Sequence, residues 1–179
     1  LILIGAEPIT SFTDSSTEAT VSNAIYEDMV RTTLCSSRWR FSTNQAELNL
    51  LTAAPSGRYD RAHQLPTDML MLHAVTVSDA IIEYNVYGDK VFSNSTANDV
   101  LIADYTFRAL EQDFPSYFAV ALQFALASAF ALSIARDEQL STILESKGGQ
   151  LLQQAKTLDS QQQTTRKLVT SRFITERRS

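Results

Sequence analysis

Hydrophobic positions recur with two different periods along this chain, and the change of period marks out its elements. Behind Ser15-Ser16-Thr17-Glu18, which offers N-cap hydroxyls and an early acidic residue, Val21, Ala24, Ile25, Met29 and Leu34 fall at helical spacing. The spacing predicts one amphipathic helix from about Thr17 to Ser36. From Arg38 to Phe107 the pattern becomes strand-like. Trp39-Arg40-Phe41 alternates large apolar and charged side chains, and the run Met69 to Val77 reads as a well-buried strand. Ile81 to Tyr87 and Lys90 to Phe92 flank Gly88-Asp89 as a hairpin, because glycine relieves the steric cost of the positive φ that a tight turn needs. Val100 to Phe107 reads as a further strand, and residues 55–59 as a loop.

Beyond Arg108 the helical period returns. Pro115, at a first-turn position, opens an apolar helix, and Asp137 or Glu138 starts another that runs towards Gln163. Gly148-Gly149 lies inside that last helix, where each glycine costs about 1 kcal/mol relative to alanine, so a break or kink is expected there. The order helix, β block, helices predicts an α+β fold that is mainly α: a helical bundle (1–37 and 108–160) with a small antiparallel β insertion (38–107) and an extended C-terminal tail (161–179). Pro115 to Ala135 carries no charge and is long enough to span a bilayer. Its many alanines and its interruptions at Gln123, Ser128 and Ser133 favour a buried core helix, and we expect no membrane span.

Composition narrows the class without naming a function. With 44% hydrophobic residues, five glycines and four prolines, the 179-residue chain is neither low-complexity nor globally disordered. Cys35 is the only cysteine, which rules out an internal disulfide and leaves a cysteine-based zinc site without ligands. Leu1 to Ile4 is too short for the hydrophobic region of a signal peptide, so none is expected. The net charge of −5 is unevenly spread: residues 1–160 hold 10 Lys/Arg against 19 Asp/Glu, whereas residues 161–179 hold five Lys/Arg against Glu176. An acidic body of this kind discourages coating of a phosphate backbone.

Catalytic signatures are missing from the sequence. His63 and His73 have neither metal-ligand spacing nor clustered carboxylates beside them, and read as a loop and a strand residue. The chain contains no Gly-x-Ser-x-Gly elbow, phosphate loop or dinucleotide fingerprint, and Cys35 lies near the end of a helix rather than at its start. Asp104, Glu111 and Asp113 form the densest set of carboxylates beside the second helix. We read them as helix-capping residues, because negative charge is favourable near a helix N-terminus. No enzymatic activity and no cofactor or metal are expected. An enzyme or small-molecule binder that uses the β block as a cup is the alternative.

Five landmarks in order carry a resemblance: Ile4-Gly5-Ala6-Glu7-Pro8-Ile9, the amphipathic helix, Trp39-Arg40-Phe41, Leu65-Pro66-Thr67-Asp68, and Phe114-Pro115-Ser116-Tyr117-Phe118 before an alanine-rich helix. Together they resemble the tail tubular protein A family, the head-to-tail adaptors of short-tailed bacteriophages, over about residues 1–135. The chain departs from the family loop, commonly Ile-Gly-Glu-Pro-Pro, by the added Ala6 and by Ile9 after a single proline.

The resemblance implies a virion structural protein at the head-tail junction, with residues 1–160 as the adaptor domain. Copies would form a dodecameric ring between the portal protein and a tail nozzle of the tail tubular protein B type. Tail fibres would be further neighbours, and the genome DNA would pass through the channel during ejection without sequence-specific binding. A head-tail connector of a long-tailed phage is the nearest alternative. In the tail, Arg166, Lys167, Arg172, Arg177 and Arg178 surround Leu168, Val169, Phe173 and Ile174, a mixture that fits a segment ordering on a partner. The resemblance makes that partner the portal, docked by Arg166, Lys167, Arg172, Phe173, Ile174, Arg177 and Arg178. Contact with DNA phosphate is the alternative.

Overall fold

The computed structural model describes residues 1–53, 55 and 57–162. Helix α1 spans Thr17–Cys35, and its N-cap Ser16 accepts a hydrogen bond from the Ala19 N–H, as the serine-rich lead-in predicts. Trp39-Arg40-Phe41 does not form a strand. Arg40–Ser42 is a turn of 3-10 helix, and strand pairing begins only after it. The strands are β1 (Thr43–Glu47), β2 (Asn49–Leu50), β3 (Arg61–Gln64), β4 (Met69–Val77), β5 (Ala80–Ile81), β6 (Tyr84–Tyr87), β7 (Lys90–Ser93) and β8 (Leu101–Phe107). Helix α2 (Ser116–Phe130) continues as a turn of π-helix (Ala131–Ala135), and α3 spans Glu138–Gln161.

The strands assemble into two four-stranded antiparallel sheets, ordered β1-β8-β4-β5 and β2-β3-β7-β6. This corrects the expected mainly α bundle with a small β insertion: the fold is mixed, with two full sheets beside three helices. The reason lies in the pairing. Most partners are distant in sequence, and β2 and β5 are two-residue pieces that alternation does not reveal. The segment Ile81 to Tyr87 is likewise two strands. Ile81 pairs back onto β4 through a turn at Ser78 and Asp79, both at positive φ, while Tyr84–Tyr87 pairs with β7 around Gly88 at φ +62°.

Strand β4 is less buried than expected, with Val75 its one fully buried residue. Its register against β8 skips twice, between Met69 and Met71 and between Leu72 and Ala74, which leaves Leu70 and His73 as bulge residues. A bulge changes which face the next side chain occupies. Met69 and Leu72 accordingly pack into the core between the sheets, with Leu48, Leu65, Val75, Val91, Leu101, Ala103 and Tyr105. Leu70 instead joins the helical core.

That helical core holds Val30 and Leu34 of α1, Trp39, Phe118, Ala121 and Leu122 of α2, and Ala155 of α3. Pro115 is the N-cap of α2 rather than a residue of its first turn. Ser116–Ala135 has a mean hydropathy of 2.0 and is long and apolar enough to cross a membrane, with a third of that stretch buried within the chain. Asp137 caps α3 through the Leu140 N–H, and the helix runs without the expected break at Gly148-Gly149. Gly148 is buried where α3 meets α2, and a Cβ there would lie 3.4 Å from the Ala125 backbone nitrogen and from Phe124 Cβ. Close packing of the two helices thus offsets the poor helix propensity of glycine.

The neighbouring glycines should respond in opposite ways. Gly149 is exposed with open space around its would-be Cβ, so Gly149→Ala should raise stability by about 0.5–1 kcal/mol. Gly148→Val should lower it by about 1–3 kcal/mol through overpacking against α2. Urea unfolding of the two variants distinguishes this from a shared helix-propensity effect, which would move both upwards.

Candidate functional site

The landmarks Trp39-Arg40-Phe41 and Phe114 to Phe118 lie far apart in sequence and meet at one junction. Trp39 is fully buried, and its indole N–H donates to the Thr33 carbonyl at 2.9 Å, closing off the C-terminal end of α1. Phe118 sits among three aromatic rings, with edge-to-face contacts to Trp39 at 5.1 Å and to Phe41 and Phe114 at 4.9 Å each. The Arg40 backbone N–H donates to the carboxylate of Asp159 on α3 at 3.1 Å, and the Tyr117 hydroxyl donates to the same carboxylate at 2.8 Å. Asp159 is only 4% exposed, so it depends on these donors. Burial, reinforced by Asp159, pushes the Tyr117 hydroxyl up to about 12 and keeps it a donor.

Beside this junction opens a cavity of about 740 Å³ over the outer face of the first sheet. Thr43, Asn44 and Gln45 of β1, His73 of β4 and Asp104 of β8 line it, with Arg38, Arg40, Lys156 and Asp159 around them. Asp104 is register partner to both Gln45 and Ala74. The second β4 bulge turns His73 into this face, where its Nε2 lies 2.8 Å from the buried Thr106 hydroxyl. Burial lowers the pKa of His73, the Arg38 charge adds to this and Asp104 opposes it, so the ring is neutral at pH 7. One Asp104 oxygen is buried without a hydrogen-bond partner. Arg38, Arg40 and Lys156 form no ion pair among the described residues.

Three sequence expectations change here. The carboxylates at 104, 111 and 113 form neither a group nor a helix cap. Asp104 faces the cavity, Glu111 pairs with Arg108 at 2.6 Å, and Asp113 belongs to a 3-10 turn ahead of an α2 whose N-cap makes no side-chain bond. Arg108 also reaches Glu27 of α1 at 2.9 Å, and its hydrogen bonds are the leading cause that holds both carboxyls below their usual range. His63 is a residue of β3 rather than a loop, 1% exposed, with an unpartnered Nδ1. Leu65-Pro66-Thr67-Asp68 joins β3 of one sheet to β4 of the other, and the Asp68 carbonyl accepts the Arg108 N–H at 3.4 Å. The cavity was not legible beforehand, because neither the bulge nor the pairing of Gln45 with Asp104 leaves a mark in the sequence. The residues expected from the resemblance to dock a portal, Arg166, Lys167, Arg172, Phe173, Ile174, Arg177 and Arg178, lie outside the described residues.

Asp159→Ala should destabilise the protein by about 1–3 kcal/mol, because it strands the Arg40 N–H and the Tyr117 hydroxyl without an acceptor. Asp159→Asn retains one acceptor and should cost less; equal loss in chemical denaturation would refute the hydrogen-bond account.

Acid should also loosen the β layers. Burial lowers the pKa of His63 first, and Arg61 adds to it, so the folded state disfavours the charged ring. The unfolded chain binds the proton more readily, so this contribution is complete above the unfolded value of 6.5 and is lost as the pH falls below it. His63→Leu should flatten the stability-pH curve in that window; an unchanged slope would show that the ring is not the titrating group.

No family model and no curated protein matches this chain.

Proposed function

We propose that this chain is a structural head-to-tail adaptor of a short-tailed bacteriophage, a ring subunit between portal and tail nozzle rather than an enzyme. The observation that supports the reading most is the convergence of its sequence landmarks. Trp39-Arg40-Phe41 and Phe114 to Phe118, chosen by their order in the chain, form one packed junction that ties α1, α2 and α3 together. Gly5, in the loop that resembles the family's first landmark, ends a short 3-10 turn at φ +73° and reverses the chain there. Exposed apolar residues on the helical side, among them Val120, Leu132, Ile143 and Leu158, offer surface that neighbouring subunits would cover.

In this reading the ring gives the genome a channel, and the excess of acidic residues in the body limits sticking of DNA phosphates. The portal is the docking partner of the basic tail, while the nozzle binds the opposite side of the ring. Helix α3 ends at Gln161, and Gln162 donates to the Tyr117 hydroxyl at 3.3 Å, so a truncation after Gln162 keeps that contact.

Sedimentation and electron microscopy with purified portal test the proposal. The full chain should form a ring on the portal. The chain cut after Gln162 should keep its helical circular dichroism and bind portal at least about tenfold more weakly, a loss of about 1.4 kcal/mol. A full chain that leaves portal uncapped would overturn the adaptor reading. Equal binding by the cut chain would place the portal contact on the folded body.

A further inference from the structure

We propose that the free edge of β1 and the cationic cavity beside it form a docking surface for an extended acidic peptide. Strand β1 ends its sheet and pairs only with β8 among the described residues, so its other edge is open to a further strand, which would take the Gln45 N–H from the Asn44 side-chain oxygen that now accepts it at 2.9 Å. Asn44, Gln45 and Glu47 are exposed along it. At the Thr43 end, Arg38, Arg40 and Lys156 gather at the cavity without ion-pair partners among the described residues. Residues 1–160 hold only 10 cations against 19 acidic groups, so three unpaired cations in one place run against the charge of the body.

The chemistry of the cavity selects the kind of ligand. The cations call for carboxylates or phosphates, whereas the buried, unpartnered oxygen of Asp104 calls for an N–H or O–H donor. A peptide rich in Asp or Glu supplies both. A DNA strand offers only acceptors along its phosphodiester backbone, with no main-chain N–H for Asp104 or for the strand edge. A basic segment is repelled by the three cations, which argues against the chain's own tail as occupant. Glu47 lies at the far end of β1, so the acidic side chains of the ligand belong at the Thr43 end. Strand addition of this kind draws affinity from main-chain hydrogen bonds and selectivity from the pocket alongside.

This inference goes beyond the adaptor reading and is tested without portal. The probe is a fluorescein-labelled peptide of alternating glutamate and valine, about ten residues long, matching the upper range of natural strands. A lysine-valine peptide and a single-stranded oligonucleotide of similar size serve as competitors, with fluorescence anisotropy as the readout on the full chain. The glutamate peptide should bind at least about tenfold more tightly than either competitor. Arg38 and Arg40 are exposed, and Arg38→Glu/Arg40→Glu should weaken the peptide at least about tenfold while leaving circular dichroism unchanged. Should that variant misfold, Arg38→Gln/Lys156→Gln is held to the same direction of change. Hydrogen exchange should slow at amides of Thr43–Glu47 when the peptide is bound. Equal or tighter binding of the lysine peptide or the oligonucleotide, unchanged binding by the charge variants, or unprotected β1 amides would each overturn the proposal.

Discussion

Phe118 is the side chain on which the helical half of this molecule depends. It is fully buried at the start of α2, and three rings close around it, Trp39 and Phe41 from the distant segment after α1 and Phe114 from the turn just ahead of α2. Aromatic pairs in tilted and edge-to-face geometry add about 0.5–1.5 kcal/mol each beyond the area they bury. They also fix position: a ring held on three sides cannot slide along its helix. Trp39 brings the end of α1 to that point through its hydrogen bond to Thr33, and Phe41 brings the entry to β1. The start of the sheet is therefore set by the same contact that sets the helices.

The β half has its own core, and β4 is what couples the two. Without bulges, a nine-residue strand would send alternate side chains to one face throughout. Two bulges break that rule, so Leu70 reaches the helical core and His73 the cavity, while Met69, Leu72 and Val75 remain between the sheets. Along α3, buried Gly148 packs its backbone against Phe124 and Ala125 of α2, and further on Asp159 meets the Arg40 backbone. Small backbone irregularities thus do what long-range complementarity alone would not.

How much of this was legible depended on whether the determining interaction was local. The cap of α1, the Gly88 turn and the start of α3 at Asp137 follow from neighbouring residues, and they stand where the sequence places them. Arg40–Ser42 reads as alternation because Trp39 and Phe41 are both large and apolar, yet they pack inward from a 3-10 turn around Phe118. The continuity of α3 through Gly148 depends on a helix some twenty residues away, and propensity alone argues the other way. The second sheet was missed for a similar reason: β3 finds its partner in β7 across about thirty residues, and two-residue strands have no period to detect.

The polarity of the cavity follows from how Asp159 is satisfied. A buried carboxylate next to Arg40 and Lys156 would ordinarily draw one of them into an ion pair, since charge-assisted bonds are the stronger kind. Here the carboxylate accepts instead from a backbone N–H and a tyrosine hydroxyl, both uncharged, and Tyr117 holds its proton to about pH 12. Neutral donors therefore meet the requirement that burial imposes, and neither the Arg40 guanidinium nor the Lys156 ammonium is consumed by it. What remains at the rim is an excess of positive charge over Asp104, on a chain whose body is otherwise acidic. The arrangement that stabilises the junction is thus also the one that leaves its cations available to something outside.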